Sequence, residues 1–250
     1  MTYALQTRNL VKKFGGFVAT NDVTLNVAAG ARHALIGPNG AGKTTLINLL
    51  TGFLVPTAGS VILDGQEVTH LPQHQRVKHG LARTFQINRL FADMTVLESV
   101  VLAVCERRGL GARFWRPVGA HQEAIGEAAA LLEQLRLIDV AHEKTKDLAY
   151  GKQRLIEIAL ALAVQPRVLL LDEPAAGVPT GESRELFETI AQLPRSVTIV
   201  LIEHDMDLVF RFADTITVLV SGAVLAEGLP AEIASDPRVK DVYLGEPGHG

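Results

Sequence analysis

The chain has 250 residues, of which 48% are hydrophobic and 20% charged, and its formal net charge is −3. That is enough apolar material for one large domain or a core with an appended lobe, and the slight acidity excludes the broad basic excess of a dominant nucleic-acid footprint. A single cysteine, Cys105, excludes an internal disulfide; no uncharged apolar run reaches the ~18 residues that span a bilayer, and the opening "MTYALQTRNLVKKF" lacks the apolar centre of a signal peptide.

In chain order, "YALQTRNLVKKF", "VTLNVAAG" and "RHALIG" predict strands. In "SVILDGQEVT", Asp64-Gly65 between two β-prone runs predicts a hairpin. His70, His74 and His79 then fall in a polar stretch, expected as a solvated loop. No cysteine or acidic cluster joins them, so no metal site is expected there. From about Gln86 the pattern turns helical. Thr95 followed by Glu98 is a capping box at the head of "VLESVVLAVCERR". The run "AHQEAIGEAAALLEQLRLI" places Ile125, Ala129, Leu132 and Leu135 on one helical face, and the intervening "RGLGARFWRPVG" reads as a loop. After Gly151 another helix carries Leu155, Ile158, Ala159 and Leu162 along one side and stops at Pro166.

The remainder alternates: strand-like "RVLLLD", helix-like "GESRELFETIAQL", strand-like "SVTIVLIE", a short helix in "DMDLVFRFA" and strand-like "TITVLV". Such alternation predicts an α/β architecture with a parallel sheet covered on both faces. The expected organisation is an α/β core from 1–86 and 161–250, with a β-rich start, interrupted by a helical subdomain at 87–160.

Three stretches carry chemistry. "GPNGAGKTT" supplies Gly37, Pro38, Asn39, Gly40, Ala41, Gly42, Lys43, Thr44 and Thr45 between an apolar run and a helix pattern, which matches a phosphate-binding P-loop. Its glycines let backbone N–H groups turn toward a phosphate, and the helix N-terminus adds partial positive charge. Lys43 would reach the β- and γ-phosphates, and Thr44 would hold Mg²⁺. "RVLLLDEP" ends an apolar strand in two carboxylates. Asp172, on a strand neighbouring the P-loop strand, is expected to hold Mg²⁺, and Glu173 to act as general base toward water. "SVTIVLIEHD" ends in His204 at the same edge, placed to sense a γ-phosphate.

The order "GPNGAGKTT", "RTFQ", "LAYGKQ", "LLLDEP", "IEH" resembles the nucleotide-binding subunits of ABC transporters over nearly the whole chain. The resemblance implies the ABC ATPase fold: a P-loop NTPase core, an N-terminal antiparallel β subdomain and an inserted α-helical subdomain. It makes Gln86 the glutamine of the Q-loop, near Mg²⁺, Glu173 the catalytic glutamate and His204 the switch histidine. Phe14, with Phe17 nearby, is similar to the aromatic that stacks on adenine. "LAYGKQ" stands where the family carries its signature, so Ala149, Tyr150 and Gly151 would contact the partner's ATP. Ala149 stands where most members have serine, and Pro179 where they commonly have an acidic or amide residue; Lys152 offers a compensating charge.

"GLARTFQINRLFADMTVLESV", "LDEPAAG" and "DVYLGE" further resemble the ATPases of branched-chain amino-acid importers. The implied cofactors are ATP and Mg²⁺. The implied partners are a second ABC ATPase, identical or similar, and permeases docked near residues 86–99. A periplasmic solute-binding protein acts indirectly, and no nucleic acid is involved. The implied place is peripheral, on the cytoplasmic face of the inner membrane. A soluble ABC ATPase acting on DNA or ribosomes is the rival reading, and it would carry long coiled-coil insertions or a second such domain, neither of which is present. A weakly active regulatory subunit is the other, prompted by Ala149 and Pro179. A GTPase would carry an N-K-x-D base-reading motif, which is absent.

Overall fold

A computed structural model of the chain describes residues 2–84, 91–110 and 122–244. They group into two compact units: Met1–Leu81, Arg167–Glu173 and Pro194–Gly250 in the first, Ala82–Pro166 and Pro174–Leu193 in the second. The elements run β1 (Tyr3–Phe14), β2 (Phe17–Ala28), β3 (Arg32–Ile36), α1 (Lys43–Thr51), β4 (Ala58–Leu63), β5 (Gln66–Glu67), α2 (Gln73–Lys78) and β6 (Leu81–Arg83). Then follow α3 (Val96–Arg107), α4 (Gln122–Gln134), α5 (Tyr150–Ala163), β7 (Val168–Asp172), α6 (Thr180–Ala191) and β8 (Thr198–Ile202). The chain closes with α7 (Met206–Phe212), β9 (Thr215–Val220), β10 (Ala223–Gly228), α8 (Pro230–Ser235) and α9 (Pro237–Leu244).

The first unit holds an antiparallel sheet in the order β2-β1-β4-β5. Asp64 and Gly65 both take left-handed backbone (φ 48° and 78°), the conformation that a two-residue hairpin of this twist requires, and Leu63 pairs with Gln66 across it. The second sheet has the order β10-β9-β3-β8-β7-β6, with β3, β8, β7 and β9 parallel and β10 antiparallel at one edge. Its central strands β3, β7 and β8 are buried at every residue, as strands covered on both faces must be. Alternate residues serve different cores. Leu35, Leu170 and Val200 join Leu46, Leu49 and Leu50 of α1, whereas Ala34 and Ile36 pack with Val209, Ile216 and Ile233.

Two expectations change in this unit. Asp172 does not lie on a strand next to the P-loop strand, because β8 is inserted between β3 and β7. The histidine-bearing polar stretch is not all loop: Gln73–Lys78 forms α2, with His74 on its exposed side and Arg76 turned inward. Period-based reading missed it because only one polar residue, rather than an apolar stripe, is buried.

At the start of β3, the Asp214 carboxylate accepts from the Arg32 N–H at 2.8 Å and from both terminal nitrogens of Arg195. Burial pushes this carboxyl up, but the bonds from Arg195 and Arg32 outweigh it and hold it below the ordinary aspartate range. A depressed folded-state value means stability present above the unfolded value and lost as pH falls through the folded one. Asp214→Asn is therefore expected to melt lower than the parent at neutral pH. The gap should close as pH falls below the ordinary aspartate range and through the depressed folded-state value, where the parent carboxyl also protonates.

In the second unit α3, α4 and α5 pack together, with α6 against α5. The capping box is present: Thr95 Oγ1 accepts from the Glu98 N–H at 3.2 Å, and Glu98 Oε2 accepts from the Thr95 N–H at 2.8 Å. The buried face of α4 is Ala124, Ala128 and Leu132, continued by Leu135, while Ile125 and Ala129 are only half-buried. The expected face is thus turned by about one residue, because small alanines let neighbouring helices approach closely. The stretch expected as a loop after α3 begins at Arg108, the C-cap of that helix, and from 111 onward lies outside the described residues.

Candidate functional site

The P-loop runs from the end of β3 into α1, and its shape is set by three left-handed glycines, Gly37, Gly40 and Gly42 (φ 155°, 79° and 98°). A Cβ on Gly42 would lie 2.5 Å from the Ala19 carbonyl oxygen, and one on Gly37 would lie 2.2 Å from that of Leu219, so neighbouring backbone fills the space a side chain would need. Gly42 is the N-cap of α1. No side chain caps that end, and its first turn contains no acid, which leaves the helix-start N–H groups directed at an anion. The Lys43 ammonium donates to the carbonyls of Gly37 and of Pro38 (3.0 Å), so it sits inside the loop rather than in bulk solvent. Asn39, Gly40 and Thr44 are exposed, and Thr45 is half-buried.

Strand register brings the other candidates to the same edge. Leu35 on β3 is level with Ile202 on β8, which is level with Asp172 on β7. One residue beyond this row lie Ile36 leading to Gly37, Glu203 leading to His204, and Glu173. The carboxyl ends of three successive parallel strands therefore present the phosphate loop, the histidine and the carboxylates. Asp172 is buried, whereas Glu173 is half-buried and has φ 47°, unusual for a residue with a side chain; its N–H donates to the Ile202 carbonyl at 2.9 Å. This local turn breaks the strand's alternation and directs Glu173 differently from the strand residues before it. His204 is exposed. Beside it the buried Glu203 accepts from the His204 backbone N–H at 3.1 Å and lies 3.7 Å from Nδ1. The sequence reading passed over Glu203, although a carboxylate closing a buried strand is itself a signal.

Phe14 and Phe17 face each other across the tip of the β1-β2 hairpin, both exposed. The Lys12 ammonium sits 5.1 Å from the Phe14 ring centre and donates to the Val55 carbonyl at 2.7 Å. Ala19, whose carbonyl abuts Gly42, is two residues from Phe17, so the hairpin tip flanks the phosphate loop at a strand distance of about 7 Å. Gln86 lies outside the described residues. Among those described, no cluster of three or more His, Cys, Asp or Glu could hold a metal.

The "LAYGKQ" turn belongs to the second unit. Ala149 is the N-cap of α5, Tyr150 its first residue, and Gly151 is buried. The Tyr150 hydroxyl accepts from buried Arg154 at 2.7 Å, and Arg154 also donates to the Ala176 carbonyl at 3.3 Å. The Lys152 ammonium is paired with Asp139 at 3.0 Å.

The geometry is that of a P-loop at the carboxyl edge of a parallel sheet, and the comparisons agree. The ABC transporter family model matches residues 20–176, and a model described as branched-chain amino acid ATP-binding cassette transporter matches 223–249. The chain belongs to the ABC transporter family, as one of its ATP-binding cassettes. It is 43% identical to the high-affinity branched-chain amino acid transport ATP-binding protein BraF of Pseudomonas aeruginosa, over 97% of this chain and 98% of that protein. The corresponding LivG protein of Escherichia coli K12 is also 43% identical, with the same coverage. Among solved structures, the ADP conformation of MJ1267, an ATP-binding cassette of an ABC transporter, superposes with a TM-score of 0.86 at 34% identity, covering 98% of this chain and all of that one. The dimeric structure of MJ0796, a bacterial ABC transporter cassette, gives 0.73 at 26% identity, covering 90% and 98%. Among the described residues no helix is long and apolar enough to cross a membrane.

Proposed function

We propose that this chain is the ATP-hydrolysing subunit of an ABC importer that takes up branched-chain amino acids or a related small solute. The observation that carries the solute class is its 43% identity, across almost the full length, to two branched-chain amino acid transport ATP-binding proteins. The site supports the chemistry. Helix α1 and the loop N–H groups bind the phosphates, Lys43 neutralises their charge, and Phe14 stacks on the base. Thr44, Asp172 and Gln86 would hold Mg²⁺, which would supply positive charge to offset that of the phosphates. Glu173 takes a proton from the attacking water, and His204 donates a hydrogen bond toward the γ-phosphate.

A second cassette completes the site. Ala149, Tyr150 and Gly151 of each chain contact the nucleotide held by the other chain's P-loop, so closure excludes bulk water and hydrolysis reopens the pair. The segment 86–99 receives the permease; Phe91, exposed at its centre, provides an apolar foothold. The chain then works peripherally, on the cytoplasmic face of the membrane.

The test is reconstitution in liposomes with permeases and a solute-binding protein that co-purify with the chain. ATP-dependent uptake of labelled leucine, abolished by Lys43→Ala, is expected. ATP turnover coupled to another solute would retain the ATPase reading and replace the solute.

A further inference from the structure

Ala149 occupies the N-cap of α5, where serine, threonine, aspartate or asparagine ordinarily accepts a hydrogen bond from the second or third N–H of the helix. Alanine has no oxygen to do so. The second N–H, that of Gly151, is bonded nevertheless: it donates to Glu182 Oε2 at 2.8 Å. Glu182 belongs to the first turn of α6, 31 residues along the chain. The approach depends on glycine, since a Cβ on Gly151 would lie 2.7 Å from the same carboxylate oxygen and 3.1 Å from the Glu182 Cβ. Two further links bring the start of α6 to this place. Arg154 donates to the Ala176 carbonyl, and Gly177, left-handed at φ 76°, lies so close that a Cβ there would be 3.4 Å from the Tyr150 ring.

We propose that Glu182 caps the signature helix in place of the absent serine and so acts as a positioning residue for the partner's nucleotide. This rests on the two-chain sandwich of the preceding reading. A serine would cap the helix from within the turn; here the cap comes from the element after the acidic strand. The bond fixes the Tyr150–Gly151 backbone, and the other N–H groups of the first turn, which have no carbonyl partner four residues back, keep a defined direction. The feature that matters is an acceptor oxygen rather than a charge, because the group capped is a neutral N–H.

The experiment measures ATP-driven dimerisation by analytical ultracentrifugation, in the Glu173→Gln background where the dimer persists. Glu182→Ala is expected to raise the ATP concentration needed by about three- to tenfold. Glu182→Gln, which keeps an acceptor oxygen, should stay within about twofold of its parent, and Ala149→Ser added to Glu182→Ala should restore dimerisation to within about twofold. Binding of ATP to the monomer's own phosphate loop, unchanged by Glu182→Ala and Glu182→Gln, separates this effect from misfolding. Dimerisation of Glu182→Ala equal to or tighter than the parent's, or no restoration by Ala149→Ser, overturns the inference. If the Glu173→Gln parent itself forms no ATP dimer, the sandwich reading falls first and the inference with it.

Discussion

Replacing Glu173 by glutamine should lower ATP turnover by about 10²–10⁴-fold while leaving ATP affinity close to that of the parent, so that an ATP-loaded dimer accumulates. The substitution keeps the size of the side chain and removes only its basicity. The backbone that aims it is unusual, left-handed at φ 47° and tied to the neighbouring strand by the N–H bond to Ile202. Glutamine inherits that geometry, so lost turnover reports on proton transfer rather than on a displaced loop. Phosphate release and size-exclusion chromatography with ATP measure the two halves of the expectation. Near-normal turnover would remove Glu173 from the role of base.

The largest effect on stability is expected at Arg76. Its buried guanidinium donates to the carbonyls of Leu49 and Leu50 at 2.7 Å each, of Thr69 at 2.7 Å and of Leu71 at 2.9 Å. Burial lowers its pKa to about 10, which still leaves it charged at neutral pH. The first two carbonyls belong to the last turn of α1, where a cation is favoured by the helix dipole. Arg76→Met strands several buried acceptors at roughly 1–3 kcal/mol each, so a loss of about 3 kcal/mol or more is expected. For a chain of this size that corresponds to a fall in Tm of roughly 6–12 °C. Arg76→Lys should recover little, because a single ammonium cannot reproduce the planar fork that spans carbonyls from three places. A melting curve within a degree or two of the parent's would mean that water replaces the guanidinium at those oxygens.

Much of the fold was legible because its signals are local. The Asp64-Gly65 turn, the Thr95–Glu98 box and the apolar strands before Gly37, Asp172 and His204 all announce themselves within a few residues. Strand order was not legible, since a parallel strand carries no mark of its neighbour, and β8 was therefore not expected between β3 and β7. Helix α6 has an ordinary periodicity, and its packing against α5 rests on contacts distant in sequence. Lys152 shows the same limit at one residue: its pairing with Asp139 is not written in the motif around it. Arg76, Glu182 and Glu203 were passed over because a buried polar side chain is defined by partners the local pattern does not contain.

Three backbone bonds near the phosphate loop have a consequence for substitutions at the neighbouring hairpin tip. Asn21 donates its N–H to Gly222 at 2.7 Å, Gly222 donates to Ala41 at 2.9 Å, and Ala41 donates to Pro38 at 3.1 Å. The hairpin bearing Phe14 and Phe17, the β9-β10 turn and the phosphate loop are thereby linked through main-chain bonds. Side chains at the hairpin tip take no part in the stitching. A substitution at the exposed Phe14 or Phe17 therefore leaves these three bonds, and the loop shape they hold, in place.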